Sequence, residues 1–257
     1  MTPQSPAPFP ATPSPSALHR TRIKVCGLTR EQDVDAAVAA GADAVGFVLY
    51  APSPRAVTPE RAAQLAARLP PFVTPVLLFV NETTTNVIAA SAMVAGAIVQ
   101  FHGDETADEC WQASGQGTRP YLRAARIPLG DQGEAFDLVE YALVHSRARA
   151  ILLDAHVEGY GGGGKAFHWS LLPPSVASHL VLSGGLTPAN VTDGILQVRP
   201  RGFSLAVDVS SGVELDGPDG KPVRGVKDAD KIQRFVAAVR AADEQLAKNF
   251  HVPVHPT

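Results

Sequence analysis

Short β-branched runs alternate with Ala-rich amphipathic runs along the chain from Thr21 onward. The β-branched runs predict strands over 21–26, 43–48, 74–80, 97–101, 120–125, 149–153, 179–183 and 203–208. Helical spacing follows at 30–40, 58–68, 83–93, 104–113, 132–146, 187–197 and 227–247, with a weaker run at 167–172 after the sixth strand. Two helix starts carry a local signal: Thr58-Pro59 and Thr187-Pro188 each place an N-cap hydroxyl before a proline at the first helical position. Strict alternation demands parallel strands, and eight units of about 28 residues can close into a barrel that leaves no edge. The expected architecture is α/β, a single eight-stranded parallel (β/α)8 barrel of the TIM type over 21–247. An open doubly wound sheet is the alternative, but the first turn reads Cys26-Gly27-Leu28-Thr29 and lacks the G-x-G-x-x-G of that fold.

Parallel barrel strands are buried on both faces, so polar residues inside them carry information. Period-2 geometry puts Lys24 and Cys26 on one face of the first strand, opposite Ile23 and Val25. Gln100 and His102 share a face at the end of the fourth strand, and Asp208 and Ser210 share one at the end of the eighth. Asp154 follows Ile151-Leu152-Leu153 at the end of the sixth. In each case the apolar set can face the helices and the polar set the barrel axis. Taken singly, a cysteine is usually a small buried hydrophobe, which is the reading for Cys110, and an Asp after a strand usually caps a helix or turns a loop. Together these residues converge on the C-terminal strand ends, where barrel enzymes carry their chemistry.

Glycines point to a phosphate at the same end. Ser183-Gly184-Gly185 follows the seventh strand and Ser210-Ser211-Gly212 the eighth. These two loops, with a helix N-terminus, form the usual phosphate site of such barrels through backbone N–H groups. The Gly159–Gly164 run after the sixth strand reads as a mobile loop or a plain linker.

Composition narrows the picture from outside. The chain is 45% hydrophobic and 18% charged, enough apolar surface for a core. A net charge of −3 without any long Lys/Arg run gives no reason to expect nucleic acid or an anionic membrane as partner. Two cysteines, Cys26 and Cys110, make neither a disulfide framework nor a zinc spacing. No run approaches the ~18 apolar residues of a membrane span, and the Pro/Ser/Thr-rich start lacks the apolar core of a secretory signal. The expectation is a soluble cytoplasmic protein. Residues 1–20, with six prolines, should form a disordered extension, and 248–257 a C-terminal tail.

The segments KVCGLTR (24–30), GADAVGFVLYAPSPRAVTPE (41–60), VLLFVN (76–81), VQFHGDE (99–105), LLDAH (152–156), GGGGKAFHW (161–169), LSGGLTPANV (182–191) and DVSSGVE (208–214) resemble, in order, the motifs of the phosphoribosylanthranilate isomerases. The resemblance implies the conversion of N-(5′-phosphoribosyl)anthranilate to 1-(2-carboxyphenylamino)-1-deoxyribulose 5-phosphate in tryptophan biosynthesis. This Amadori rearrangement needs no metal or organic cofactor and has a phosphosugar as its small-molecule partner. It implies Cys26 as general base, Asp154 as general acid, and Arg55 of the S-P-R motif on the anthranilate carboxylate. Lys24, His102 and Asp208 fall in the substrate site, and Gly184, Gly185, Ser210, Ser211 and Gly212 in the phosphate loops. The assembly expected is a monomer or homodimer.

Three positions depart from the family pattern. Gly163 replaces a Thr, His168 an Asp and Phe101 a Leu; the first two bear on closure of the loop after the sixth strand rather than on the chemistry. Other phosphosugar barrels, such as indole-glycerol-phosphate synthases and histidine-pathway isomerases, use carboxylates or lysines in place of a Cys/Asp pair. A non-enzymatic phosphate-binding barrel would keep the glycine loops without needing Cys26 and Asp154 together. The implied chemistry requires Asp154 to hold a proton when substrate arrives, and Cys26 to be a thiolate with a pKa below that of a free thiol. Lys24, two residues along the same face, could pair with Asp208 across the closed barrel, and is expected either to favour that thiolate as well or simply to balance Asp208.

Overall fold

The computed structural model describes residues 20–129, 136–155 and 169–249. Eight parallel strands close into a barrel in chain order: β1 Arg22–Cys26, β2 Ala44–Val48, β3 Thr74–Phe79, β4 Ile98–Phe101, β5 Tyr121–Ile127, β6 Ala150–Ala155, β7 Leu180–Leu182 and β8 Leu205–Val209. The helices α1 Glu31–Ala40, α2 Pro59–Ala66, α3 Thr84–Ala92, α4 Ala107–Ala113, α5 Leu138–Val144 and α6 Val191–Val198 lie between strands, and α7 Ala229–Asn249 closes the chain.

Alternation sorts the side chains as the pattern requires. Ile23, Val25, Phe47, Leu77, Phe79, Val99, Ile151, Leu153 and Val207 pack outward in one continuous core. The opposite parity fills the barrel: Ala124, Ala150, Leu152 and Val181 form one small cluster, and Cys26, Val48, Leu78 and Val80 form another. The Cys26 cluster touches the polar ends of the strands. Closure is tied again outside the sheet, where the Asp243 carboxylate of α7 accepts from the Thr21 amide at 2.9 Å and from Arg199 at 2.7 Å.

Most helix starts obey their caps. Thr58, Thr83, Thr106 and Asp137 each accept an amide N–H of the first turn, with a full capping box at Thr106 and Glu109. Such a cap stabilises a helix by about 1 kcal/mol. Thr187-Pro188 behaves otherwise. The helix starts at Val191 because the Asn190 side chain is drawn back, accepting from the Thr187 amide and donating to the Gly185 carbonyl, so these residues form a turn that braces the glycine loop.

Two further expectations change. Of the run at 167–172, the described residues hold only a 3-10 turn over Trp169–Leu171. The last helix starts at Ala229 rather than 227, since a two-stranded antiparallel hairpin, β9 Glu214–Asp216 and β10 Pro222–Lys227, claims the residues after β8. The Gly159–Gly164 run with Gly163 and His168, residues 1–19 of the Pro-rich extension and most of the C-terminal tail lie outside the described residues.

Candidate active site

Lys24 and Cys26 share the inward parity of β1, and Lys24 stands in register with Asp208 on β8. The ammonium donates to Asp208 Oδ1 at 2.9 Å, both side chains being buried. Burial works against the charged lysine, yet Asp208 and then Cys26 outweigh it and hold its pKa above the ordinary value. Burial also pushes the Cys26 thiol up, and Lys24 pulls it down without prevailing. The resting cysteine is therefore a thiol. The expected depressed pKa is not what this environment gives, because the buried sulfur is cut off from water and the Asp208 carboxylate opposes the pull of Lys24. Gly46, the register partner of Cys26 on β2, makes room for the group: a Cβ there would stand 2.6 Å from Sγ and 3.1 Å from the Lys24 Nζ.

Across the mouth, Asp154 ends β6 and His102 follows β4. His102 Nε2 lies 2.9 Å from Asp154 Oδ2, and its Nδ1 lies 2.9 Å from the Gln100 side-chain nitrogen. The second Asp154 oxygen accepts from the Ala155 amide at 3.0 Å. All three side chains are buried.

Arg55 is no solvated loop arginine. It is 7% exposed and donates from Nε and Nη2 to the two oxygens of Glu214 at 2.7 and 2.9 Å. Burial opposes ionisation of Glu214, but Arg55 and Lys227 hold its carboxyl below the ordinary value. Lys227 donates to the Ser210 carbonyl at 2.9 Å, and burial, with Arg55 adding to it, brings its ammonium down to about 8. This charged group fastens the S-P-R loop to the hairpin and to the start of the loop after β8. The loops after β7 and β8 touch: a Cβ at Gly212 would stand 1.9 Å from the Leu186 carbonyl oxygen, so only glycine permits the approach.

These elements enclose a cavity of about 370 Å³, lined by Cys26, Arg55, His102, Asp154 and Asp208, with Ser183, Gly184, Gly185, Ser210 and Ser211 on one wall. Ten of the expected site residues thus gather at one end of the barrel, counting Lys24, which sits one layer below behind Cys26. Gly212 backs the wall without lining it. Glu214, Lys227 and Arg224, which also lines the cavity, were not anticipated. They lie beyond the eighth strand, and the only local signal there is the turn-forming Gly217-Pro218-Asp219-Gly220. Gln100 was placed on the His102 face without a role.

Such a fold and site define a (β/α)8-barrel enzyme with a thiol and two carboxyls facing one cavity beside two glycine-rich loops. Residues 23–238 match the family described as N-(5′-phosphoribosyl)anthranilate (PRA) isomerase. The N-(5′-phosphoribosyl)anthranilate isomerase of Methylibium petroleiphilum is 60% identical over 89% of this chain and 98% of its own, and that of Dechloromonas aromatica 56% identical over 88% and 100%. The crystal structure of phosphoribosyl anthranilate isomerase from Thermotoga maritima superposes with a TM-score of 0.72 at 38% identity, covering 86% of this chain and 99% of that one. A phosphoribosyl anthranilate isomerase solved in complex with reduced 1-(o-carboxyphenylamino)-1-deoxyribulose 5-phosphate superposes with a TM-score of 0.67 at 34% identity, with the same coverage. The chain belongs to the N-(5′-phosphoribosyl)anthranilate isomerase family.

Proposed function

We propose that the chain converts N-(5′-phosphoribosyl)anthranilate to 1-(2-carboxyphenylamino)-1-deoxyribulose 5-phosphate in tryptophan biosynthesis, with Asp154 as general acid and Cys26 as general base. The observation that carries the assignment of roles is the meeting of one thiol, Cys26, with Asp154, the lining carboxyl that no lysine holds, in a single cavity beside two glycine loops, the other lining carboxyl, Asp208, being paired with Lys24. Backbone N–H groups of Gly184, Gly185 and Ser210–Gly212 suit the phosphate. Arg55 suits the anthranilate carboxylate with the guanidinium edge that Glu214 leaves open, and the two bonds to Glu214 fix its plane.

Asp154 gives its proton to the furanose oxygen as the bond from that oxygen to C1′ breaks, and the nitrogen lone pair forms the protonated Schiff base. The Cys26 thiolate then takes the C2′ proton. The electrons of that bond pass into the C1′–C2′ bond and those of C1′=N return to nitrogen, giving an enolamine that tautomerises to the ketone. One proton enters and one leaves, so the reaction is an isomerisation. The thiolate required here is the minor form of the resting Cys26, and Lys24 is the group that favours it.

Asp154→Asn and Cys26→Ser should each lower kcat by roughly 10²–10⁴-fold while leaving the fold and inorganic phosphate binding in place. The measurement is the fluorescence loss on mixing enzyme with freshly made phosphoribosylanthranilate. Turnover within twofold of the parent in either variant removes that residue from its role.

A further inference from the structure

Three buried side chains stand in line: Gln100, His102 and Asp154, with both contacts at 2.9 Å. The arrangement fixes where protons are. A carboxamide nitrogen can only donate, so with Gln100 Nε2 against it, His102 Nδ1 must offer a lone pair. Neutral histidine then carries its hydrogen on Nε2, and donates to an ionised Asp154. Reversing that last bond, so that Asp154 holds a proton, strips Nε2 and puts the imidazole hydrogen on Nδ1. That hydrogen cannot meet the amide nitrogen. It can meet Gln100 Oε1, which is buried and has no partner among the described residues, so the amide can turn over without giving up any other bond to them.

We infer that Gln100 is a positioning residue whose amide orientation follows, and in turn biases, whether the His102–Asp154 pair holds the proton delivered to the substrate. With Nε2 toward the imidazole the pair is discharged; with Oε1 toward it the pair is loaded. This rests on Asp154 being the acid. The loaded pair is one unit in which the proton is shared between carboxyl and imidazole.

The surroundings leave this role to Gln100. Asp208 on β8 acts on both members of the pair, and is itself held by Lys24 of β1, beside the Cys26 thiol. Arg126 on β5, the register neighbour of Asp154, holds Asp104, while Arg123 and Glu105 pair with each other. Val48 of β2 and Leu78 and Val80 next to it on the third strand and its end are apolar. Among the described residues, no other side chain bonds His102 Nδ1.

Two substitutions should move activity in opposite directions. Gln100→Glu keeps an acceptor at Nδ1 and favours the loaded pair, so the basic limb of kcat shifts to higher pH by about one unit. Gln100→Met offers no acceptor, and an unmet buried N–H costs more than an unmet lone pair, so the limb shifts to lower pH. Imidazole ¹⁵N shifts of the ligand-free enzyme should show the His102 hydrogen on Nε2 at high pH and on Nδ1 as the pH falls. Shifts of the limb in one direction for both variants, or a hydrogen that stays on Nε2 throughout, overturn the inference. If Gln100→Glu does not fold, Gln100→Met and the spectra decide alone. Full turnover by Asp154→Asn would instead defeat the acid assignment, and the ¹⁵N titration would still report on Gln100.

Discussion

Lys24 serves two neighbours at once, and one substitution separates the two debts. It anchors the buried Asp208 and it opposes the upward push of burial on Cys26. Lys24→Met should raise the thiol pKa further, moving the rate of Cys26 alkylation to higher pH, and the ascending limb of kcat/KM with it. It should also leave Asp208 buried without a partner, at a cost of about 3–5 kcal/mol in unfolding free energy. Measuring both on the same protein tells the roles apart: a destabilised variant with an unshifted cysteine leaves Lys24 as a purely structural ion. The inward parity of both residues was legible in the sequence, since period two needs no knowledge of the fold. The resting protonation of Cys26 was not, because it depends on how much of the lysine's charge Asp208 absorbs across the barrel seam.

Among the elements, α5 ends in an unusual way. A histidine at a helix C-terminus is normally favoured when charged. His145 caps α5 in a buried position against Tyr141, with ring centroids 4.5 Å apart. Burial, helped by Arg123 and Arg147, brings its pKa down to about 4 from 6.5. The unfolded chain therefore binds a proton between those values while the folded one does not. Stability from this residue is complete above pH 6.5 and is lost as the pH falls to about 4, by up to about 3 kcal/mol. Denaturant titrations at pH 7, 5.5 and 4.5 should show His145→Phe losing less stability over that range than the parent, and parallel curves would refute the reading. The start of α2 was readable from its cap at Thr58, while those of α4 and α5 were placed at 104 and 132, ahead of their caps Thr106 and Asp137, and that of α6 was misread at Thr187, whose neighbour Asn190 is committed to the Gly185 carbonyl. The hairpin escaped notice because β9 is only three residues long and β10, though six, carries little apolar alternation.

At the scale of the whole molecule, eight strand-led units could be counted from the pattern alone because all but the sixth repeat the same switch of period, and the sixth is marked by its strand. Ion pairs could not. Arg55 and Glu214 are 159 positions apart, and nothing near either names the other. Such partners come together only in the closed barrel, where the first and last strands pair and the two ends of the chain must find each other. They do so at Thr21 and Asp243. The end of α7 lies six residues past Asp243, about 9 Å farther along the helix. The order in which the gene writes the eight units is therefore only one of several that would serve. A circularly permuted protein starting at Gln116, in the exposed turn before β5, with Asn249 linked to Arg20 by a short Gly/Ser bridge, should still assemble the same cavity and turn over within a few-fold of the parent. Failure of that rearranged chain to fold would mean that β1 must be made first, and that the ring has a preferred place to begin.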